Sequence, residues 1–344
     1  MKSVCLLLLL FSGIVCYAQP VKYENLVFEG GGARGIVYIG ALKQLEIAGI
    51  TRDIRRVGGN SAGAIVALMV SLGYTPGEIE DVIVSQQLQK FRARHFLFIG
   101  ARHSLAHHYG WYSSRRVATF LGQLIAAKTG DADITFAGLM ARGYKELRVT
   151  GTCVNRQQGM VLSAQNYPRM KVRDAVLISC SIPLVFHAVF VDSMGAVHKH
   201  QDKHRSCDIF IDGLIGNNYP VAMFDSAAIS ATGQQVRIPD MRTLGFQVTS
   251  LKQMDCDKAG KGLAGESIHR FSDYAEAIFC YTLESINRSG MTKEDWARTV
   301  SLPTLGVSAQ LNKLSKERTA ELITTGQEYT RKYLEEHRPL VTGN

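Results

Sequence analysis

The chain predicts an α/β fold, and three stretches carry that expectation. Residues 25–29 read as a short buried strand that runs straight into Gly30-Gly31-Gly32-Ala33-Arg34-Gly35 and then into a helix over 37–47, ended by Gly49. Residues 54–57 read as a second strand, followed by Gly59-Asn60-Ser61-Ala62-Gly63 and a helical run over 64–70. Farther on, 207–213 is a strand that delivers Asp212 to a glycine turn at Gly213. Strands alternating with helices across tight glycine turns are the pattern of an α/β chain.

The remaining elements follow in order. Thr75-Pro76-Gly77-Glu78 is a turn opening another helix. The segment 91–112 mixes Phe91, Phe96, Phe98, Tyr109 and Trp111 with Arg92, Arg94 and Arg102, a composition that fits either a lipid-contacting surface or a half-buried connection. Val117, Phe120, Leu121, Leu124 and Ile125 keep the helical period up to Gly130. Residues 147–150 and 159–162 form two strands around a polar turn, and 170–179 a helix stopped by Pro183. Asn217, Asn218 and Pro220 continue the loop after Asp212, 244–248 is one more strand, and 315–336 a helix of alternating charged and apolar residues. No internal repeat and no Pro/Ser-rich linker divides the chain, so 24–225 is expected to be the working domain and 226–344 an extension packing on it.

Composition bounds the function. The 344 residues are 46% apolar and 20% charged, as in a folded globular protein. A net charge of +9 suits an anionic membrane surface. No compact Lys/Arg block with interleaved aromatics points to nucleic acid. Residues 1–18, with Lys2, an apolar core over 6–15 and a small-x-small site at 16–18, read as a secretory signal peptide, which predicts a secreted, periplasmic or cell-surface protein. The five cysteines beyond it, Cys153, Cys180, Cys207, Cys256 and Cys280, have no zinc spacing; their odd number leaves at least one thiol unpaired in the monomer. His103 and His107 lie four apart but no carboxylate accompanies them, and His198, His200 and His204 sit in a Lys-rich loop, so no metal is expected.

Gly59 to Gly63 is a Gly-x-Ser-x-Gly turn between a strand and a helix, the context that holds a serine hydroxyl above a sheet. The glycine loop upstream admits two readings. Gly30, Gly32 and Gly35 satisfy a dinucleotide fingerprint, but Asp53 precedes the second strand instead of ending it, and the serine motif occupies the place of a ribose-binding acid. An oxyanion hole, with backbone N–H groups aimed at the charge formed when Ser61 attacks a carbonyl, fits the order of motifs better. A serine nucleophile needs a base. No histidine stands at an evident strand end, whereas Asp212 does, and a carboxylate desolvated in a dry site can take the proton.

Together these residues resemble the patatin-like phospholipases, which pair a Gly-Gly-Gly-x-Arg-Gly loop and a Gly-x-Ser-x-Gly elbow with an Asp-Gly-Gly/Ala motif. Here the loop is Gly30 to Gly35, the elbow Gly59 to Gly63, and the third motif Asp212-Gly213-Leu214, with Leu214 in place of the usual small residue. Ser179-Cys180-Ser181-Ile182-Pro183 resembles the family's segment ahead of the aspartate. The resemblance covers about residues 26–225. It implies a three-layer α/β/α fold with a mostly parallel central sheet, and lipid acyl hydrolysis of phospholipase A or lysophospholipase type by a Ser61–Asp212 dyad through an acyl-enzyme. The N–H groups of Gly31, Gly32 and Ala33, with Ala62, would hold the oxyanion, and Arg34 would support the loop or meet a phosphate. It implies a lipid ester as substrate and no cofactor or metal. An esterase or triacylglycerol lipase, and a non-catalytic lipid-binding protein on the same fold, are the alternatives.

Overall fold

The structure is a computed structural model, and it describes residues 22–85, 104–198, 206–230, 232–309 and 314–337. The expected signal peptide, most of the aromatic and basic segment 91–112, and His103, His200 and His204 lie outside the described residues.

Among the described residues, nine strands make the central sheet: β1 (Asn25–Phe28), β2 (Arg56–Gly59), β3 (Glu146–Cys153), β4 (Gln158–Ser163), β5 (Val189–Asp192), β6 (Val197–His198), β7 (Cys207–Asp212), β8 (Thr243–Thr249) and β9 (Thr299–Pro303). Their order is β9-β8-β1-β2-β3-β7-β5-β6, with β4 also paired to β3. The run from β9 to β3 is parallel throughout, and β7, β4 and β6 are the strands that point the other way. The sheet is therefore mostly parallel, with helices flanking it.

Alternation along β1 shows how both faces are used. Leu26 and Phe28 face the main core, while Val27 packs with Met223 and Phe224 on the other face. The helix α1 (Val37–Ile47) is buried by the C-terminal helix Lys316–Glu336, whose carbonyl Ile323 O comes so close to Gly40 that a Cβ there would lie 1.8 Å from it. Helix α2 (Ala62–Ser71), which begins directly after Ser61, is apolar on nearly every side and buries Ala64, Val66, Ala67, Leu68 and Met69.

The C-terminal third belongs to the same body. β8 lies beside β1 in the interior of the sheet and β9 beyond it, so residues after 225 supply two strands of the scaffold. β5, β6 and β9, the hairpin Ser226–Ile229/Gln235–Ile238, and the helices Leu251–Lys258 and Phe271–Ser289 are elements not expected from the sequence. Among the described residues Cys153, Cys180, Cys207, Cys256 and Cys280 form no disulfide, and Cys153 and Cys207 are buried.

Candidate active site

Register brings the three motifs to one edge of the sheet. Phe28 aligns with Gly59, and Gly59 with Val149; two residues farther along β3, Gly151 aligns with Asp212. Ser61 likewise lies two residues past Gly59. The glycine loop after β1, Ser61 after β2 and Asp212 at the end of β7 thus converge although 151 positions separate the serine from the aspartate.

The serine turn is strained, and its glycines are required by close approach. Ser61 has φ 49° and ψ −120°, outside the regions a side-chain-bearing residue prefers, at a cost of about 1–3 kcal/mol. A Cβ on Gly63 would stand 2.4 Å from Phe28 O, and one on Gly59 2.5 Å from the same atom. Either would push β1 away from the elbow. Ser61 N–H donates to Ser179 Oγ at 3.0 Å, so the segment ahead of the aspartate clamps the nucleophile from the far side.

Asp212 is 1% exposed. Its Oδ1 accepts from Asn60 Nδ2 at 2.8 Å and from the Leu214 N–H at 2.9 Å. Its Oδ2 is buried with no hydrogen-bond partner among the described residues, and the neighbouring Ser61 hydroxyl is one of the groups that pull the carboxyl down. Burial pushes the carboxyl up to about 7, against the opposing pull of Asn60, Ser61 and the Leu214 amide. A carboxylate poised near neutrality, with one oxygen unpartnered and a serine hydroxyl as neighbour, is suited to general-base work. Its protonated form cannot accept the serine proton, so kcat/KM for ester cleavage is expected to fall as pH drops through about 7 and to level off above it. A pH–rate profile over pH 5 to 9 checks this, and an acid limb centred near 4 would remove Asp212 from that role.

Asn60, the variable residue of the elbow, organises the site. Its Nδ2 donates to Asp212 Oδ1 and, at 3.0 Å, to Asn218 Oδ1. Its Oδ1 accepts from Thr150 Oγ1, Ser179 Oγ and the Gly213 N–H, each at 3.1 Å. Motif matching treats this position as free, so it missed the role of Asn60 and of its partners Thr150, Ser179 and Asn218. The remaining signal was a short polar residue between a strand and an apolar helix, fully buried here. Gly213 is tight against the same amide, and Leu214 contributes only its N–H, so the larger side chain leaves the aspartate's contacts in place.

In the glycine loop, Gly30 exchanges N–H and C=O hydrogen bonds with Asn218, and Arg34 Nε donates to Gly31 O at 3.2 Å. Arg34 therefore supports the turn. Gly35 packs on the elbow, where a Cβ would lie 3.2 Å from Ala62 Cβ. The expected set of oxyanion donors narrows. Ala33 N–H donates to Ala309 O at 3.3 Å and Arg34 N–H to Gly31 O at 3.1 Å. Gly31, Gly32 and Ala62 keep amides with no acceptor among the described residues. Gly32 has φ +55°, and a Cβ there would collide with Ala309 O at 2.0 Å, so only glycine carries the chain between the elbow and the segment after β9. Among the described residues no three His, Cys, Asp or Glu side chains gather as a metal site; His198 pairs with Asp192.

The model of the patatin-like phospholipase family matches residues 26–225, more than half of the chain. The chain belongs to that family. Among curated relatives, a probable lipid hydrolase, 463L, of Invertebrate iridescent virus 6 is 26% identical over 209 residues, covering 59% of this chain and 63% of that protein. The uncharacterized protein YqhO of Bacillus subtilis is 27% identical over 210 residues, covering 59% and 67%. The chain thus spans about two thirds or less of these relatives' lengths. Among solved structures, VipD from Legionella pneumophila superposes with a TM-score of 0.50 at 14% identity, over 92% of this chain and 67% of that one, which supports the fold.

Proposed function

We propose that this patatin-like chain is an exported lipid acyl hydrolase of phospholipase A or lysophospholipase type, acting at an anionic membrane surface with a Ser61–Asp212 dyad. The observation that carries the reading is the open, buried Oδ2 of Asp212 beside Ser61, on a carboxyl pushed up to about 7. Ser61 Oγ attacks the ester carbonyl, its proton passes to Asp212 Oδ2, and the new C–O bond gives a tetrahedral oxyanion facing the amides of Gly31, Gly32 and Ala62. Collapse breaks the bond to the leaving alcohol, which takes the proton from Asp212. Water then attacks the acyl-Ser61 ester, gives its proton to Asp212, and the fatty acid leaves as Ser61 Oγ is reprotonated. The apolar leader over 1–18 supports export, and the net charge of +9 supports contact with an anionic lipid surface.

The test is fatty-acid release from phospholipids, lysophospholipids and triglycerides by the wild type and Ser61→Ala. Release by the wild type that drops by at least roughly 10³-fold in the variant is expected. Equal release by both would assign the chemistry elsewhere. Vesicle binding by both with no release would make the chain a lipid-binding protein.

A further inference from the structure

Glu29 closes β1 and sits immediately before the glycine loop, yet the dyad chemistry makes no use of it. It is 1% exposed, a second buried carboxyl in the site. Its Oε2 accepts from the Val248 N–H at 2.8 Å. Its Oε1 accepts from Asn287 Nδ2 at 2.6 Å and from Asn218 Nδ2 at 3.2 Å. Asn218 then accepts from Asn60 Nδ2 at Oδ1, and the same Asn60 nitrogen donates to Asp212 Oδ1. Glu29, Asn218, Asn60 and Asp212 form one buried row.

The direction of that row follows from donor and acceptor inventory. Glu29 Oε1 and, at 3.2 Å, Gly30 O are both acceptors for Asn218, so both take its amide nitrogen. With its nitrogen so committed, Asn218 presents its oxygen to Asn60. Asn60 answers with its nitrogen, and its oxygen is held by Thr150, Ser179 and Gly213. The outcome at the far end is a donor on Asp212 Oδ1 and an Oδ2 with no hydrogen-bond partner among the described residues.

We propose that Glu29 is a positioning residue for the reaction: through Asn218 and Asn60 it fixes which oxygen of Asp212 is hydrogen-bonded and which is presented to the serine. The proposal rests on the dyad reading above. Its second half lies outside the segment matched by the family model, because Val248 and Asn287 belong to β8 and to the helix Phe271–Ser289. The C-terminal third therefore reaches the catalytic base through Glu29. The charged and titratable groups that act on Glu29 are Arg34 on the glycine loop and Arg288 beside Asn287, with the Tyr38 and Tyr219 hydroxyls feeling its charge in turn. Burial holds its carboxyl up, to about 7, and Arg34, the Val248 amide, Arg288 and the Asn218 amide work against that.

Titration of the Asp212 carboxyl, followed by NMR in protein carrying 13C-labelled aspartate, reads the relay without turnover. In Glu29→Gln, Asn218 loses its acceptor-only partner and Asn60 is held less firmly, so the Asp212 midpoint is expected to rise, with the acid limb of kcat/KM moving the same way. Loss of a nearby negative charge acting only through space would lower that midpoint, so the sign separates the two causes. A second arm uses Asn218→Ala and the double variant. If Glu29 acts through Asn218, the double variant loses no more kcat than Asn218→Ala alone, and KM changes less than kcat in each. An Asp212 midpoint unchanged or lowered in Glu29→Gln, or losses that add in the double variant, overturns the proposal. Activity that survives in Ser61→Ala overturns the dyad reading instead, and the NMR titration still decides whether Glu29 sets Asp212.

Discussion

Asp212→Asn is expected to lower kcat for ester release by about 10²–10⁴-fold while leaving the protein folded. The substitution is nearly isosteric, and the remaining oxygen can keep both contacts of Oδ1, from Asn60 Nδ2 and the Leu214 N–H. The new amide nitrogen then takes the place of Oδ2, where it donates towards the Ser61 hydroxyl instead of accepting from it. Geometry survives and proton transfer does not. Stability should move the other way. The folded protein binds a proton at Asp212 up to about pH 7, whereas an unfolded chain releases it near the ordinary aspartate value of 3.8. The stabilising preference for the protonated form is fully present below that unfolded value and is lost as pH rises through about 7. Asparagine carries no such pH-dependent cost, so at pH 8 its urea midpoint should equal or exceed that of the wild type. Fatty-acid release and urea titration at pH 8 on the same preparation check both halves. Hydrolysis within a few-fold of wild type would assign the proton to another group.

The opposed expectations for activity and stability explain what sequence could and could not disclose. Ser61 and Asp212 were legible because each ends a strand-like run at a glycine turn, and local pattern is enough to recognise such a turn. The helices over 37–47 and 315–336 were legible for a similar reason: apolar spacing and glycine or serine at their ends. Asn60, Ser179 and Asn218 were not. Their work is to satisfy one another across 119 and 158 positions, and a short polar side chain reads the same whether solvated in a loop or buried in a row. The narrowing of the oxyanion donors has the same origin, since Ala309 occupies the Ala33 amide from 276 positions away. The strands β5 and β9 escaped because short runs such as Val189–Asp192 and Thr299–Pro303 become strands through the neighbours they pair with.

The same long-range logic predicts where the fold is most sensitive. Arg298→Ala is expected to cost about 3–5 kcal/mol, read as a lower urea midpoint, because it breaks a buried charge cluster without replacing it. Arg298 is 1% exposed. It grips both oxygens of Asp225, at 2.6 and 2.7 Å, reaches Asp295 Oδ1 at 2.6 Å, and donates to Asp240 O at 2.9 Å. Its own carbonyl accepts from the Gly245 N–H at 2.8 Å, where β9 joins β8. Arg237 supplies a second cation, at 2.5 Å from Asp295 and 3.4 Å from Asp225, so the variant leaves two buried carboxylates sharing one partly exposed guanidinium. Arg298→Lys should fall between, since a point charge cannot hold two oxygens of Asp225 and one of Asp295 at once. Asp225 is the last residue of the family match, and Arg298 and Asp295 belong to the segment beyond it. A large loss therefore means that the extension and the motif-bearing part unfold as one unit, as expected of a body whose sheet carries β8 beside β1. A midpoint unchanged in Arg298→Ala would instead mean that the motif-bearing part holds its stability without that clasp. None of the four groups touches Ser61 or Asp212, so whatever protein remains folded should keep the wild-type acid limb near pH 7.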